Sequence, residues 1–154
     1  MLPHREYARE RIAQSAQRLR DRVHGERVVV EDLELAGPVD RIPPAGAQRL
    51  EYRPAEPGAA LGPLFATYWL RGTAVVPPGW AGARVDLWVD TGSEATLWLD
   101  GRPVAGLNSG PRQVRPYAVL VAHADGGERV PFALEIACND AFGYGESGQG
   151  AAAS

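Results

Sequence analysis

Hydrophobic and polar positions change rhythm once along this chain, near residue 25. Before that point Ala8, Ile12, Ala16, Leu19 and Val23 recur at helical spacing and form one stripe, which predicts an amphipathic helix over 4–24 with Gly25 as its stop. Against the stripe lie Arg5, Arg9, Arg11, Arg18, Arg20 and Arg22, with Glu6–Arg9 and Arg18–Asp21 spaced so that their charges can pair. The helix reads as a solvated face or, alternatively, as a basic surface that docks on an acidic partner or another domain.

From Val28 onward the helical period is gone. The stretch 36–63 is dense in Gly and Pro, including Pro43-Pro44, Pro54, Pro57 and Pro63, and predicts connecting chain with short strands at most. Leu50, Tyr52 and Leu61 make it too apolar for a free linker, so it is expected to wrap across the core surface. Residues 64–76, rich in aromatic and β-branched types, read as a strand stopped by Pro77-Pro78. Val85, Leu87 and Val89 then alternate with Asp86, Trp88 and Asp90, and Ala95, Leu97 and Leu99 alternate with Glu94, Thr96 and Trp98. Asp100-Gly101 is a strong hairpin signal and makes 102–106 the return strand. A short strand follows at 117–122. The clearest alternation is Val130, Phe132, Leu134, Ile136 and Cys138, where Pro131 belongs near the strand's start or at a sheet edge because it lacks a ladder donor.

These elements predict a mostly β protein: a jelly-roll-like β-sandwich of the galactose-binding-domain-like kind, preceded by one N-terminal amphipathic helix. The expected organisation is helix over 4–24, sandwich over 26–145 and a frayed tail over 146–154. Composition agrees, since 45% hydrophobic and 23% charged residues suit a globule with a core, and 18 Gly with 13 Pro among 154 residues suit many short elements. No apolar run approaches membrane-spanning length and the N-terminus has no apolar leader, so the expectation is a cytoplasmic protein without a membrane partner. The net charge of −3 divides into +3 over residues 1–24 and −6 over the rest, which leaves the β region too acidic for a nucleic-acid groove.

Candidate chemistry is sparse. His4, His24 and His123 are far apart in sequence, and neither they nor the single Cys138 has zinc-site spacing; Cys138 reads as a small core residue with an inert thiol. Ser15, Ser93, Ser109 and Ser147 sit in no nucleophile elbow. Gly143, Gly145 and Gly148 match a dinucleotide fingerprint as a string, but too little chain follows for the helix that the fingerprint needs. Asp86 and Asp90 share a strand face but stand roughly 13 Å apart by strand rise, too far for paired carboxylate catalysis. Glu94, Asp100 and Asp140 read as turn and edge carboxylates. The residues that stand out are Trp88 and Trp98, which the alternation turns away from the core beside Asp86 and Asp90. Outward tryptophans flanked by carboxylates suit either a protein interface or a stacking platform for a sugar.

Several strings are more specific. They are Pro54 to Leu70 (Pro-Ala-Glu-Pro-Gly-Ala-Ala-Leu-Gly-Pro-Leu-Phe-Ala-Thr-Tyr-Trp-Leu), the Pro77-Pro78-Gly79-Trp80-Ala81-Gly82 turn, the run Val85 to Ala95, the hairpin Leu97 to Val104, Gly106-Leu107-Asn108, and Glu135-Ile136-Ala137-Cys138-Asn139-Asp140-Ala141-Phe142-Gly143. Together, over about residues 5–145, they resemble the opening domain of microbial family-38 glycoside hydrolases, the zinc-dependent α-mannosidases, with Asp140 standing where the family pattern has Gly. The resemblance implies a β-sandwich that precedes a catalytic barrel in a cytoplasmic enzyme acting on α-mannosides. The zinc and the nucleophile it implies belong to that barrel, so no catalytic residue, metal ligand or cofactor is carried onto this chain. The implied role is packing, oligomer assembly or the rim of the active site, with the barrel or a neighbouring subunit as partner. The candidate packing residues are Asn139, Phe142 and Tyr144, with the outward Trp88 and Trp98; a free-standing module that binds mannosides is the alternative.

Overall fold

A computed structural model of the chain describes residues 4–23, 25–108 and 117–139. The leading helix, α1, spans His4–Val23. Its stripe is unburied where its side chains are described, since every residue from Tyr7 to Ser15 is exposed and Ile12 keeps 68% of its surface.

The rest is an antiparallel β-sandwich. Strands β1 (Glu34–Val39), β2 (Arg53–Pro54), β3 (Thr67–Val75), β5 (Glu94–Leu99), β6 (Arg102–Asn108) and β8 (Arg129–Ala137) form one sheet in the order β2-β1-β3-β8-β5-β6. Strands β4 (Val85–Trp88) and β7 (Tyr117–Val121) form a second, two-stranded sheet. A one-turn helix, α2 (Pro44–Ala47), lies between β1 and β2, and a 3₁₀ turn at Pro78–Trp80 precedes β4.

Side-chain alternation builds the core. β8 is flanked by β3 and β5, and the register aligns Leu35, Leu70, Leu134 and Leu97 in a row across four strands. Leu134 and Leu97 are fully buried. Leu87, Ala118 and Leu120 of the smaller sheet close on this row from the other side, and Phe132 and Ile136 of β8, with Cys138 and Leu61, belong to the same core. Burial pushes the Cys138 thiol above its ordinary range, the behaviour of an unreactive core cysteine. Gly72 lets the strand pass close to its neighbours, because a Cβ there would meet Leu33 Cδ2 at 2.5 Å and Phe132 Cζ at 3.2 Å and those side chains would have to shift.

The Asp100-Gly101 hairpin forms as expected, with both residues in the left-handed region at φ 49° and 72°. Pro131 pairs with Thr73 beyond the last residue that β8 shares with β5, Ala133, so the missing donor falls where β8 has one neighbour. Two boundaries differ from expectation. β1 starts at Glu34 and takes up the beginning of the supposed connecting chain; Gly37 sits in its bulge at φ 132°, where a Cβ would strike Tyr68 Cδ1 at 2.7 Å. The strand expected from residue 64 starts at Thr67, because Phe65 takes a left-handed φ of 69° that no strand accommodates.

Candidate functional site

In β4, alternation sends Val85 and Leu87 inward and Asp86 and Trp88 outward. The register sets Trp88 beside Tyr117 and Asp86 beside Val119 on the outer face of the small sheet. The Trp88 and Tyr117 rings are 6.3 Å apart and tilted by 52°. The guanidinium of Arg27 stands 4.4 Å from the Trp88 ring centre, a cation–π contact worth about 0.5–1 kcal/mol at an exposed site. The segment that carries Arg27 is also held by Glu26, whose carboxylate accepts from Trp80 Nε1 at 3.1 Å. Arg84 donates to Asp86 at 2.8 Å, and that bond holds the guanidinium still more firmly in its charged form. With Trp88 44% exposed and Val119 39%, this face is a small aromatic patch edged by charge. Asp90, expected to flank it, instead accepts from the Gly92 amide at 2.9 Å within its own turn.

Trp98 lies elsewhere. It projects from the outer face of the six-stranded sheet, on the opposite side of the sandwich, and packs on Trp69 with ring centres 5.9 Å apart. The two outward tryptophans therefore belong to two separate surfaces. Trp69 is 1% exposed although it faces away from the core, as is its β1 neighbour Ala36 at 2%. The 40–52 segment is tied to this face of β3 at Arg71. Tyr52 lies under the Arg71 guanidinium at 3.8 Å and donates its hydroxyl to the Ala47 carbonyl at 3.1 Å, and Arg71 also pairs with Glu34 at 2.7 Å. Burial pushes the Tyr52 phenol up, against the pull of Arg71. The indole Nε1 atoms of Trp69 and Trp98 are both buried and find no acceptor among the described residues, at about 1–3 kcal/mol each.

Two hollows border these faces. A shallow one of about 500 Å³ on the outer face of the large sheet is lined by Arg41, Thr67, Glu94, Thr96, Asn108 and Glu135. A larger one of about 1700 Å³ runs beside residues 25–35 and touches both sides of the large sheet, from Phe132 inside to Trp98 outside. A volume that wraps a sheet edge is surface relief, not one binding chamber.

The end of β8 is clamped from two sides. Asn139 donates its side-chain amide to Glu94 at 2.6 Å and its backbone amide to Ser93 Oγ at 3.3 Å, while its Oδ1 accepts from the Glu94 amide at 3.4 Å. On the other side the Phe65 amide donates to the Cys138 carbonyl at 2.6 Å, and the Cys138 amide donates to the Ala66 carbonyl at 2.9 Å. Beside this clamp Leu64 and Phe65 stand 40% and 78% exposed. A left-handed backbone costs an L residue about 1–2 kcal/mol, and here a phenylalanine bears it. Reading the sequence missed this pair by placing it in the strand; a dipeptide of large apolar residues straight after Gly62-Pro63 was the available signal. Phe142 and Tyr144, the other packing candidates, lie outside the described residues, as does the Gly143-Gly145-Gly148 string. The zinc implied by the resemblance finds no fit among the described residues, where no three of His, Cys, Asp and Glu converge. Nor is any described helix long and apolar enough to cross a membrane.

These features define a β-sandwich domain whose distinctive groups lie on its two outer faces and at the exit of its central strand. The family described as alpha-mannosidase, jelly roll domain, matches residues 28–153, and the chain belongs to that family. Alpha-mannosidase G of Dictyostelium discoideum is 29% identical over 96% of this chain and 14% of its own length. Human alpha-mannosidase 2C1 is 33% identical over 83% of this chain and 12% of its own length. The chain thus spans about one eighth of the length of these relatives. A Ruminococcus gnavus beta-glucuronidase, solved in complex with uronic isofagomine, aligns at a TM-score of 0.48 with 13% identity over 82% of this chain and 24% of its own.

Proposed function

We propose that this chain is the N-terminal accessory domain of a cytoplasmic, zinc-dependent family-38 α-mannosidase, inactive by itself, and that it serves the enzyme by packing on its catalytic portion. One observation carries the reading. The alpha-mannosidase family match runs over residues 28–153, yet the chain equals 12% to 14% of the length of relatives that bear the name alpha-mannosidase. On this reading the zinc and the carboxylate chemistry on α-mannosides come from the remainder of the enzyme. The contribution of this chain is a rigid sandwich with apolar groups held at its surface.

The test is an α-mannosidase assay of the purified 154-residue chain with added zinc, followed by the same assay after co-expression with Dictyostelium alpha-mannosidase G deprived of its matching segment. No turnover alone and restored turnover with the partner is the expected result. Hydrolysis by the chain alone that scales with its concentration would overturn the proposal. The alternative role, a free-standing module that binds mannosides, draws on Trp88, whose ring is 44% exposed beside Asp86. It predicts saturable quenching of tryptophan fluorescence by α-linked mannobiose that disappears in Trp88→Ala.

A further inference from the structure

Phe65, next to the half-exposed Leu64, combines three properties. The Phe65 ring is 78% exposed, so it gains almost nothing from the fold of this domain. Its backbone is nevertheless held at φ 69°, a conformation that Gly or Asn adopts more easily than an aromatic residue. And the position is fixed, because the Phe65 amide is bonded to the Cys138 carbonyl at 2.6 Å and the Ala66 amide to the Pro63 carbonyl at 3.0 Å. A strained, rigid and unburied aromatic is the form of an interface anchor: ordering it on contact costs little, and its apolar area is still available to a partner.

The place of the pair in the chain indicates the partner. The Phe65 amide is bonded to the carbonyl of Cys138, one residue before Asn139, at the exit of the central strand β8. The relatives are about seven times as long as this chain. We infer that Leu64 and Phe65 are the anchor by which this domain seats on an apolar surface of the α-mannosidase catalytic portion, an inference that rests on the function proposed above. The clamp at Asn139 holds the anchor in one direction, so little ordering is needed when it meets its partner.

The experiment compares the wild-type chain with Phe65→Gly and Phe65→Asn, two replacements that suit the left-handed backbone. Each chain is first melted alone and then co-expressed with Dictyostelium alpha-mannosidase G lacking its matching segment, with co-purification and activity as readouts. The expected result is a melting temperature equal to or above wild type for both variants, with recovery of the complex lowered about tenfold or more. A lowered melting temperature in both variants would overturn the inference, since the ring would then serve the fold. Equal recovery of wild-type and variant complexes would overturn it too. Self-association of the wild-type chain through Phe65 that excludes the catalytic portion would assign the anchor to a second copy and refute it. Failure of the wild-type chain to associate at all refutes instead the accessory-domain reading on which the inference stands.

Discussion

On the outer face of the six-stranded sheet Trp69 is 1% exposed, whereas on the outer face of the two-stranded sheet Trp88 keeps 44% of its surface. Both occupy outward positions of their strands, and both have an aromatic neighbour, Trp98 in one case and Tyr117 in the other. The difference lies in what meets them. On the large sheet the 40–52 segment is tied to Arg71 through Tyr52, and Trp69 is packed against Trp98. The small sheet is met by Arg27, and its tryptophan remains on the surface. Outwardness along a strand is therefore a statement about the sheet alone. Exposure depends on what the loops do.

The strongest way to break the comparison is to empty the covered face. Trp69→Ala should cost about 3–5 kcal/mol in urea denaturation, because it leaves a large cavity at a side chain only 1% exposed and removes the packing partner of Trp98. Trp69→Phe should cost about 1.5 kcal/mol or less, since it keeps most of the ring volume and deletes an indole donor that is buried with no acceptor among the described residues. If both variants lost stability equally, the indole nitrogen would have to be satisfied in solution and the assignment of a dry face would fail.

A milder perturbation loosens the 40–52 segment. Tyr52→Phe removes the bond to the Ala47 carbonyl and should cost about 0.5–1.5 kcal/mol at neutral pH. The phenol also makes this face respond to alkali. Its folded pKa lies above the ordinary value of 10.0, so the native state holds the proton that the unfolded chain releases. The contribution is fully present below pH 10 and is lost as the pH climbs through the raised folded value. The wild-type stability curve should fall more steeply than that of Tyr52→Phe in this alkaline window, and parallel curves would show that Tyr52 is not sealed against the sheet.

What the sequence made legible follows the same line between local and tertiary causes. The alternation from Val130 to Cys138, the Asp100-Gly101 hairpin and the outward turn of Trp88 are fixed by nearest neighbours, and all three appear in the fold. β1 was concealed, because Gly37-Pro38 has little strand propensity and the strand exists through its pairing with β3. Alternation assigns a face but not a sheet, so nothing in the sequence separated Trp88 from Trp98. The burial of Trp69 depends on tertiary packing, that on Trp98 included, and the left-handed Phe65 on bonds to Cys138, 73 positions along the chain. Neither leaves a periodic trace.

The smallest expected effect is on the open face. Arg27→Ala removes one cation–π contact at an exposed ring and should cost about 0.5–1 kcal/mol or less, with increased quenching of Trp88 fluorescence by acrylamide as its signature. Trp88→Ala should stay near 1 kcal/mol because its ring, unlike that of Trp69, leaves the core between the sheets untouched. A loss of 3 kcal/mol or more in Trp88→Ala would place the ring inside a structural layer and erase the contrast between the two faces. A small loss of stability together with unchanged co-purification with the catalytic portion would instead sharpen it. The aromatic patch on the outer face of the small sheet would then be separable from the proposed anchor at Phe65, and Trp88 would have no part in seating the domain.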